Sequence, residues 1–257
     1  VLPILLEDST KCARTIMQTG KEYICLMRLH DDVSDEKLFE AIKLFTGQIY
    51  QIPPVRSSVA RKPRIRTIYS AEIIERNGRD VLMRIACSGG TYIRKYCYDI
   101  GLYLGCGAHM QELRRTRAGP YDEGCSVTLL DVYEAVKLYK ENGEERTLRK
   151  VVQPVETAVR FLPKVYVLDS AVDAICHGAD LAVVGISKLD EGIKRGDEVA
   201  IMTLKGELVA LGKAQMSTEE ILDSTKGIAV DTDRVIMDRG TYPSVWKKGS
   251  KNFNDSI

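Results

Sequence analysis

The chain has 257 residues, 44% of them apolar and 28% charged, with 37 basic against 36 acidic side chains. That apolar content supports one large core or two smaller ones and excludes a disordered chain. No uninterrupted apolar run approaches the ~20 residues of a membrane helix, and a formal charge of +1 leaves any polyanionic partner to be judged from local clusters.

In chain order, residues 21–30 alternate, with Tyr23, Cys25, Met27 and Leu29 on one face, which predicts a strand. Ser34 then caps a helix running to about Phe45, with Asp35 and Glu36 at its positive end and Gly47 past its exit. The acidic run 31–40 reads as a solvated helix start. Residues 56–66, RSSVARKPRIR, hold four Arg and one Lys with no acid; Pro53-Pro54 before them and Pro63 within them disfavour a central strand. A basic loop against nucleic-acid phosphates is the reading preferred over a merely solvated charge run. Residues 67–75 and 79–87 are strand-like and flank Asn77-Gly78, a hairpin signal.

From Gly89 comes the stretch richest in chemistry, GGTYIRKYCYDIGLYLGCGAHMQELRRTRAGP. Tyr92 and Arg94 are two apart, so an extended chain points ring and cation to one face. Residues 92–104 then carry helical spacing through Ile93, Cys97, Ile100 and Leu104, ending at Gly105. Arg114, Arg115 and Arg117 place three guanidinium forks within four residues, a match for phosphate oxygens. A ring for a base, a cation for a carboxylate and a basic run for a backbone point to chemistry on RNA. Another helix spans 130–141 and stops near Asn142-Gly143. A mixed α+β region results.

Pro154 and Pro163 bracket a change of rhythm to short β runs: VYVL, EVAIMTL and ELVALGKAQM, with Lys205-Gly206 as a turn. Asp169 or Ser170 caps a short helix ending at Gly178. Within HGADLAVVGISK, Gly178 and Gly185 permit close backbone approach to nucleotides, and Lys188 is available to a phosphate; turn glycines beside an exposed Lys are the plain alternative. The tail KKGSKNFNDSI is polar and expected to fray.

Seven cysteines with no C-x-x-C pair, and three scattered histidines, give neither a disulfide framework nor a zinc set; reduced, mostly buried thiols are expected and no metal. No phosphate-loop or dinucleotide fingerprint appears, since GLYLGCG has the wrong spacing, so no cofactor is expected.

Three segments, GKEYICLMRLH, GTYIR and HMQELRRTRAGP, resemble motifs of the TruB-type pseudouridine synthases, in that family's order and spacing. The resemblance is closest to the archaeal and eukaryal dyskerin-like catalytic subunits of box H/ACA ribonucleoproteins, and it covers nearly the whole chain. It implies an α+β fold: a mixed-sheet catalytic domain over 1–160, a PUA RNA-binding domain over 165–246 and a flexible tail over 247–257. It also implies that part of the catalytic domain, with its nucleophilic Asp, lies ahead of Val1. By the same resemblance Tyr23, the Tyr of a K-x-Y motif, is the platform for a flipped uracil, and Arg94 orients the missing carboxylate. Tyr92 buttresses the pocket and Leu113 closes its apolar floor. Arg61, Lys62, Arg64 and Arg66 belong to a mobile loop that closes over substrate RNA. The implied partners are a guide RNA and a substrate RNA, with Nop-type, Gar-type and kink-turn-binding ribosomal-type proteins and no membrane. The implied location is cytoplasmic in an archaeon or nucleolar in a eukaryote. Two other functions compete with RNA-guided isomerisation of uridine: a guide-independent tRNA pseudouridine synthase, and a non-catalytic RNA-binding scaffold.

Overall fold

The computed structural model describes residues 1–53 and 60–244. The chain divides into two compact units, Val1–Leu5 with Cys12–Gln153, and Leu6–Lys11 with the chain from Pro154 on.

In the first unit, α1 (Ala13–Gln18), β1 (Lys21–Leu29), α2 (Asp35–Leu44), β2 (Gly47–Gln51), β3 (Arg64–Asn77), β4 (Asp80–Cys87), α3 (Ile93–Leu104), β5 (Ala108–Ala118), β6 (Tyr121–Asp122), α4 (Leu129–Asn142) and α5 (Glu145–Val151) follow in order. The six strands form one sheet in the order β2-β3-β4-β1-β5-β6, antiparallel at each described pairing. The alternation read in β1 sets its face: Cys25, Met27 and Leu29 are buried, and Tyr23 packs at the edge of the same cluster. Val81, Met83 and Ile85 of β4 join them, and α2 and α3 supply Leu38, Ile42, Tyr96, Cys97 and Ile100 to one core. Removing such a buried aliphatic side chain costs about 2–5 kcal/mol.

Local signals set the helix ends. Ser34 accepts from Lys37 N at the start of α2, and α3 stops at Gly105 in the left-handed conformation, φ +74. Thr128 and Asp131 form a capping box on α4, which stops at Gly143, φ +70. Gly101 is an approach glycine: a Cβ there would meet Ala108 N at 2.1 Å, so α3 rests backbone-close on the start of β5. The glycines of GLYLGCG thus serve packing and termination.

Three local expectations are corrected. The β3–β4 hairpin pairs Asn77 with Asp80, so the turn residues are Gly78 (φ +57) and Arg79, one later than Asn77-Gly78. A positive φ confined to the first turn residue is the pattern of a type II′ turn. The basic run 56–66 is not all loop, because β3 begins at Arg64; Arg56 lies outside the described residues. The helix after the second unit's first strand is capped by Leu168, with Asp169 as its first residue and no side-chain cap.

The second unit holds β7 (Lys164–Val167), α6 (Asp169–Cys176), β8 (Leu181–Ala182), β9 (Ile186–Leu189), β10 (Glu198–Thr203), β11 (Leu208–Ala214), α7 (Thr218–Leu222) and β12 (Ile228–Val235). Its sheet runs β8-β12-β11-β10-β7-β9, with β7 parallel to β10. The 3₁₀ turn Glu7–Cys12 is tied to β12, where Arg234 Nη1 donates to Lys11 O at 2.8 Å. The expected tail, 247–257, lies outside the described residues. The α+β class read from the sequence is the class observed.

Candidate active site

Register places three of the expected residues on one sheet face. β1 pairs with β5 so that Tyr23 faces Arg115 and Cys25 faces Leu113. Directly opposed residues share a sheet face, so Tyr23, Arg115 and Leu113 lie on the face that α3 covers. Cys25 Sγ touches Cys97 Sγ of α3 at 3.5 Å. Arg94 is three residues before Cys97, hence on the same side of that helix and one turn nearer its start. It is exposed, with no ion pair or hydrogen bond recorded among the described residues. Leu113 is 39% exposed, an apolar surface open beside the half-buried Tyr23.

The geometry relating Tyr92 to Arg94 differs from the sequence expectation. Tyr92 is the extended cap residue of α3 and Arg94 is the second residue inside the helix, so two-residue alternation does not relate them. The fixed point is instead the Tyr92 backbone. Gln51 Nε2 donates to Tyr92 O at 3.1 Å, and Tyr92 N donates to Gln51 Oε1 at 2.9 Å.

The three forks of 114–117 diverge, because this run is a strand. A bulge between Glu22 and Tyr23 shifts the register at Thr116. Arg114 pairs with Glu123 at 2.6 Å, and Arg117 approaches Glu22 at 3.9 Å. Arg115 Nε donates to Val1 O at 2.7 Å, and the Val1 nitrogen donates to Arg115 O at 2.6 Å. Val1 therefore runs beside β5 at the residue opposite Tyr23.

Burial pushes the Tyr23 phenol up from its ordinary range, with Cys87 adding to the rise and Arg115 opposing it through charge and a hydrogen bond. Tyr23 is thus a neutral hydroxyl, able to give or relay a proton. Burial likewise raises the Cys87 thiol to about 11, against smaller lowering effects of Thr91 and Lys21, so it is no thiolate nucleophile. The Lys of K-x-Y, Lys21, was given no role by the sequence. Its Nζ donates to Ile16 O, Met17 O and Thr19 O at 2.9, 2.8 and 2.7 Å, closing the end of α1. Burial, then the nearby Arg115, lowers its pKa. The same end of α1 receives Gly89, whose Cβ would lie 2.5 Å from Met17 O, and Gly119, whose Cβ would lie 2.5 Å from Thr19 Oγ1. Lys21 of the first motif, Gly89 just before the second and Gly119 of the third thus converge on residues 16–19, a contact that a reading of motifs one at a time does not reveal.

Of the basic residues, Arg61 Nε reaches Pro53 O at 3.4 Å and Arg64 Nη2 reaches Ala60 O at 3.5 Å, both loose contacts to carbonyls. Lys62 is exposed. Arg66 is more engaged, with Nε on Gly90 O at 3.1 Å and Nη1 on Ile65 O at 2.8 Å.

In the second unit, Gly178 (φ +87) has open space around it, whereas a Cβ on Gly185 would press on Ala171 and Leu181 at 3.1 Å. Gly185 therefore serves internal packing, and its carbonyl accepts from Leu168 N. Lys188 lies over the Tyr166 ring, 4.1 Å from its centroid. Gly178 helps line an open hollow of about 580 Å³ with Lys11, His177 and Arg239; Gly185 and Lys188 do not. Among the described residues no group of three or more His, Cys, Asp or Glu is arranged to hold a metal, and no helix is long and apolar enough to cross a membrane.

Aromatic, apolar and cationic side chains on one sheet face, in a chain with a second, β-rich unit, fit an RNA-modifying enzyme, and comparison with known proteins identifies its kind. Residues 1–93 match the TruB family pseudouridylate synthase N-terminal domain. Residues 94–160 match the tRNA pseudouridylate synthase B C-terminal domain, and residues 163–236 a PUA domain. A probable tRNA pseudouridine synthase B of Methanosarcina barkeri is 53% identical over 96% of this chain and 73% of its own length. The protein so described from Methanocaldococcus jannaschii is 54% identical over 96% of this chain and 74% of its own. A chain from the crystal structure of a Cbf5-Nop10-Gar1 complex superposes with TM-score 0.90 at 54% identity, covering 95% of this chain and 75% of that one. Another, from an H/ACA RNP bound to a substrate RNA containing 2′-deoxyuridine, gives TM-score 0.85 at 52% identity, over 94% and 73%. The chain belongs to the TruB family of pseudouridylate synthases. It is a pseudouridine synthase, an isomerase, with a C-terminal PUA domain.

Proposed function

We propose that this pseudouridine synthase works under the direction of a guide RNA, as the catalytic subunit of a box H/ACA particle acting on rRNA or tRNA. The observation that carries the reading is the likeness, at TM-score 0.90 over 95% of the chain, to a chain of a Cbf5-Nop10-Gar1 complex. On this reading a Nop-type and a Gar-type protein bind the catalytic domain, a kink-turn-binding ribosomal-type protein binds the guide, and the PUA domain holds guide RNA near Gly178.

The target uridine leaves its stack at a cost of a few kcal/mol. Stacking on Tyr23 offsets that cost, at about 1–3 kcal/mol per base on an aromatic ring. Leu113 forms the apolar floor. Arg94 holds the nucleophilic carboxylate ionised and aligned, as an adjacent guanidinium does in a dry pocket. Arg61, Lys62 and Arg64 meet the phosphates.

The names of the relatives favour a second reading, a tRNA synthase that needs no guide. The full-length protein is assayed on one target RNA and on unmodified tRNA, with the guide and partner proteins present or withheld. Turnover that requires the guide is expected; equal turnover on naked tRNA selects the second reading. Arg94→Ala is expected to abolish turnover while RNA affinity stays within about threefold, and full turnover in that variant removes the role given to Arg94.

A further inference from the structure

Arg94 carries weight in the site, yet nothing on its own side chain fixes it. α3 begins without a side-chain cap and without an acidic residue in its first turn, so its start is positioned from outside. Two strands do this. Gln51, the last residue of β2 and 2% exposed, spends both its amide atoms on the Tyr92 backbone. The Tyr92 carbonyl also accepts the first helical bond, from Tyr96 N at 3.0 Å, so Gln51 grips the peptide from which the helix is launched. Arg66 of β3 holds Gly90 O. Gly90 has φ +78, and a Cβ on it would come within 3.2 Å of Arg66 Nη2, so the guanidinium lies against the turn. Ser88 is bound into β3 as well, where Thr67 N donates to its Oγ at 3.0 Å and Ser88 N to Thr67 O at 2.8 Å.

We infer that Gln51 and Arg66 are positioning residues for the isomerisation, clamping the turn 90–92 so that Arg94 meets the reacting carboxylate at its working angle. The inference deepens the reading of Arg94 above and rests on it. A buried amide that pairs with both the N–H and the C=O of one residue is a costly arrangement to keep for packing alone, since every unmet polar atom there carries a desolvation penalty. As part of the clamp, Arg66 moves from the phosphate contacts to the positioning of catalysis. Misplacing a reacting group by about 1 Å lowers rates by as much as ~10²-fold.

The test uses the full-length protein in its assembled particle, measuring single-turnover rate at saturating RNA, RNA affinity over a range of salt, and melting temperature. Gln51→Met keeps the volume and loses both hydrogen bonds; Arg66→Met keeps the stem and loses the grip on Gly90. Each is expected to slow turnover at least tenfold, with affinity within about threefold and an unchanged salt slope. Arg66→Lys, which keeps one donor, is expected to recover part of the rate. If Gln51→Met melts too low to assay, Gln51→Glu keeps the acceptor for Tyr92 N and loses the donor to Tyr92 O; an intermediate rate is expected, and a wild-type rate counts against the clamp. A wild-type rate in the double variant overturns the inference. So does an Arg66→Met protein that turns over normally at saturation while its salt slope falls by about 0.7–0.9, the signature of one phosphate left unneutralised. If Arg94→Ala itself turns over normally, the reading of Arg94 has failed first; if it is dead while the clamp variants are not, only the clamp has failed.

Discussion

Gly89→Ala tests whether the site is built on the end of α1. The added methyl would sit 2.5 Å from Met17 O and 3.0 Å from Gln18 O, where ordinary contact begins at 3.4 Å. The obstacle is backbone that Lys21 anchors through three hydrogen bonds, so it does not swing aside, and the turn at Gly89 must retreat by up to about 0.9 Å. Overpacking of this kind costs about 1–3 kcal/mol, and 1 kcal/mol moves the melting point of a domain this size by about 2–4 °C. The expected fall is therefore about 2–12 °C. The same retreat is carried three residues on to Tyr92 and five on to Arg94, so single-turnover rate should fall by ten- to a hundredfold. Gly105→Ala is the control: φ is +74 but nothing lies within 4 Å, so only backbone strain of about 1–2 kcal/mol is expected, with turnover kept. The assays are thermal unfolding followed by circular dichroism and single-turnover isomerisation at saturating RNA. A Gly89→Ala protein that melts within about 1 °C of wild type and turns over at full rate refutes the idea that the turn before Tyr92 is packed against residues 16–19.

Changing Arg61, Lys62 and Arg64 together to Gln should weaken substrate RNA binding and lower the slope of log affinity against log salt by about 0.7–0.9 for each phosphate no longer neutralised; an unaltered slope makes these residues a solvated surface. Stability should also fall at alkaline pH through Cys87. Its buried thiol titrates at about 11 against an ordinary 9.0, so below pH 9 both folded and unfolded chains hold the proton. Between pH 9 and 11 only the unfolded chain releases it, which removes about 2–3 kcal/mol as pH rises. Urea midpoints at pH 8.5, 9.5 and 10.5 check this: Cys87→Ala should show the flatter decline, and parallel declines contradict a buried neutral thiol.

What was legible in the sequence were the elements whose signals are local. β1 declared itself by alternation that burial then follows, α2 by Ser34 and its acidic first turn, and α3 and α4 by the glycines that end them. The same reasoning failed where register decides. Three arginines in four residues look like one cluster, but β5 sends them to different partners because a strand alternates and this one also bulges. Tyr92 and Arg94 look like two positions of a strand, but the chain turns helical between them. Gln51 carried no signal at all, since its partner is 41 residues away. Its neighbourhood, a Gln before Pro53-Pro54, reads as loop chemistry rather than as a brace for a helix start. Lys21 was visible as a motif letter, and its work on the end of α1 emerges only once three segments are folded together.

On the proposed reading of the site, the cations on the Tyr23 side of the sheet favour an anionic occupant. Arg94, Arg115 and Lys21 are all cationic, and among the described residues no carboxylate is recorded as an ion-pair partner of any of the three. Arg115 is held by the backbone of Val1 and Lys21 by carbonyls of α1, so peptide dipoles keep these cations in place without cancelling their charge. Burial lowers the Lys21 pKa, and the charge of Arg115 lowers it further. A pocket in this condition gains from an anion twice, once through direct pairing and once through relief of the repulsion between its own cations. It would stabilise an ionised carboxylate facing Arg94 and draw in the phosphates beside a flipped uridine. Glu22, the nearest acid in sequence to Tyr23, adjoins it on the alternating strand and so projects from the opposite face, where it is engaged by Thr116 and Arg117. The strand's alternation thus keeps Glu22 on the other face from Tyr23.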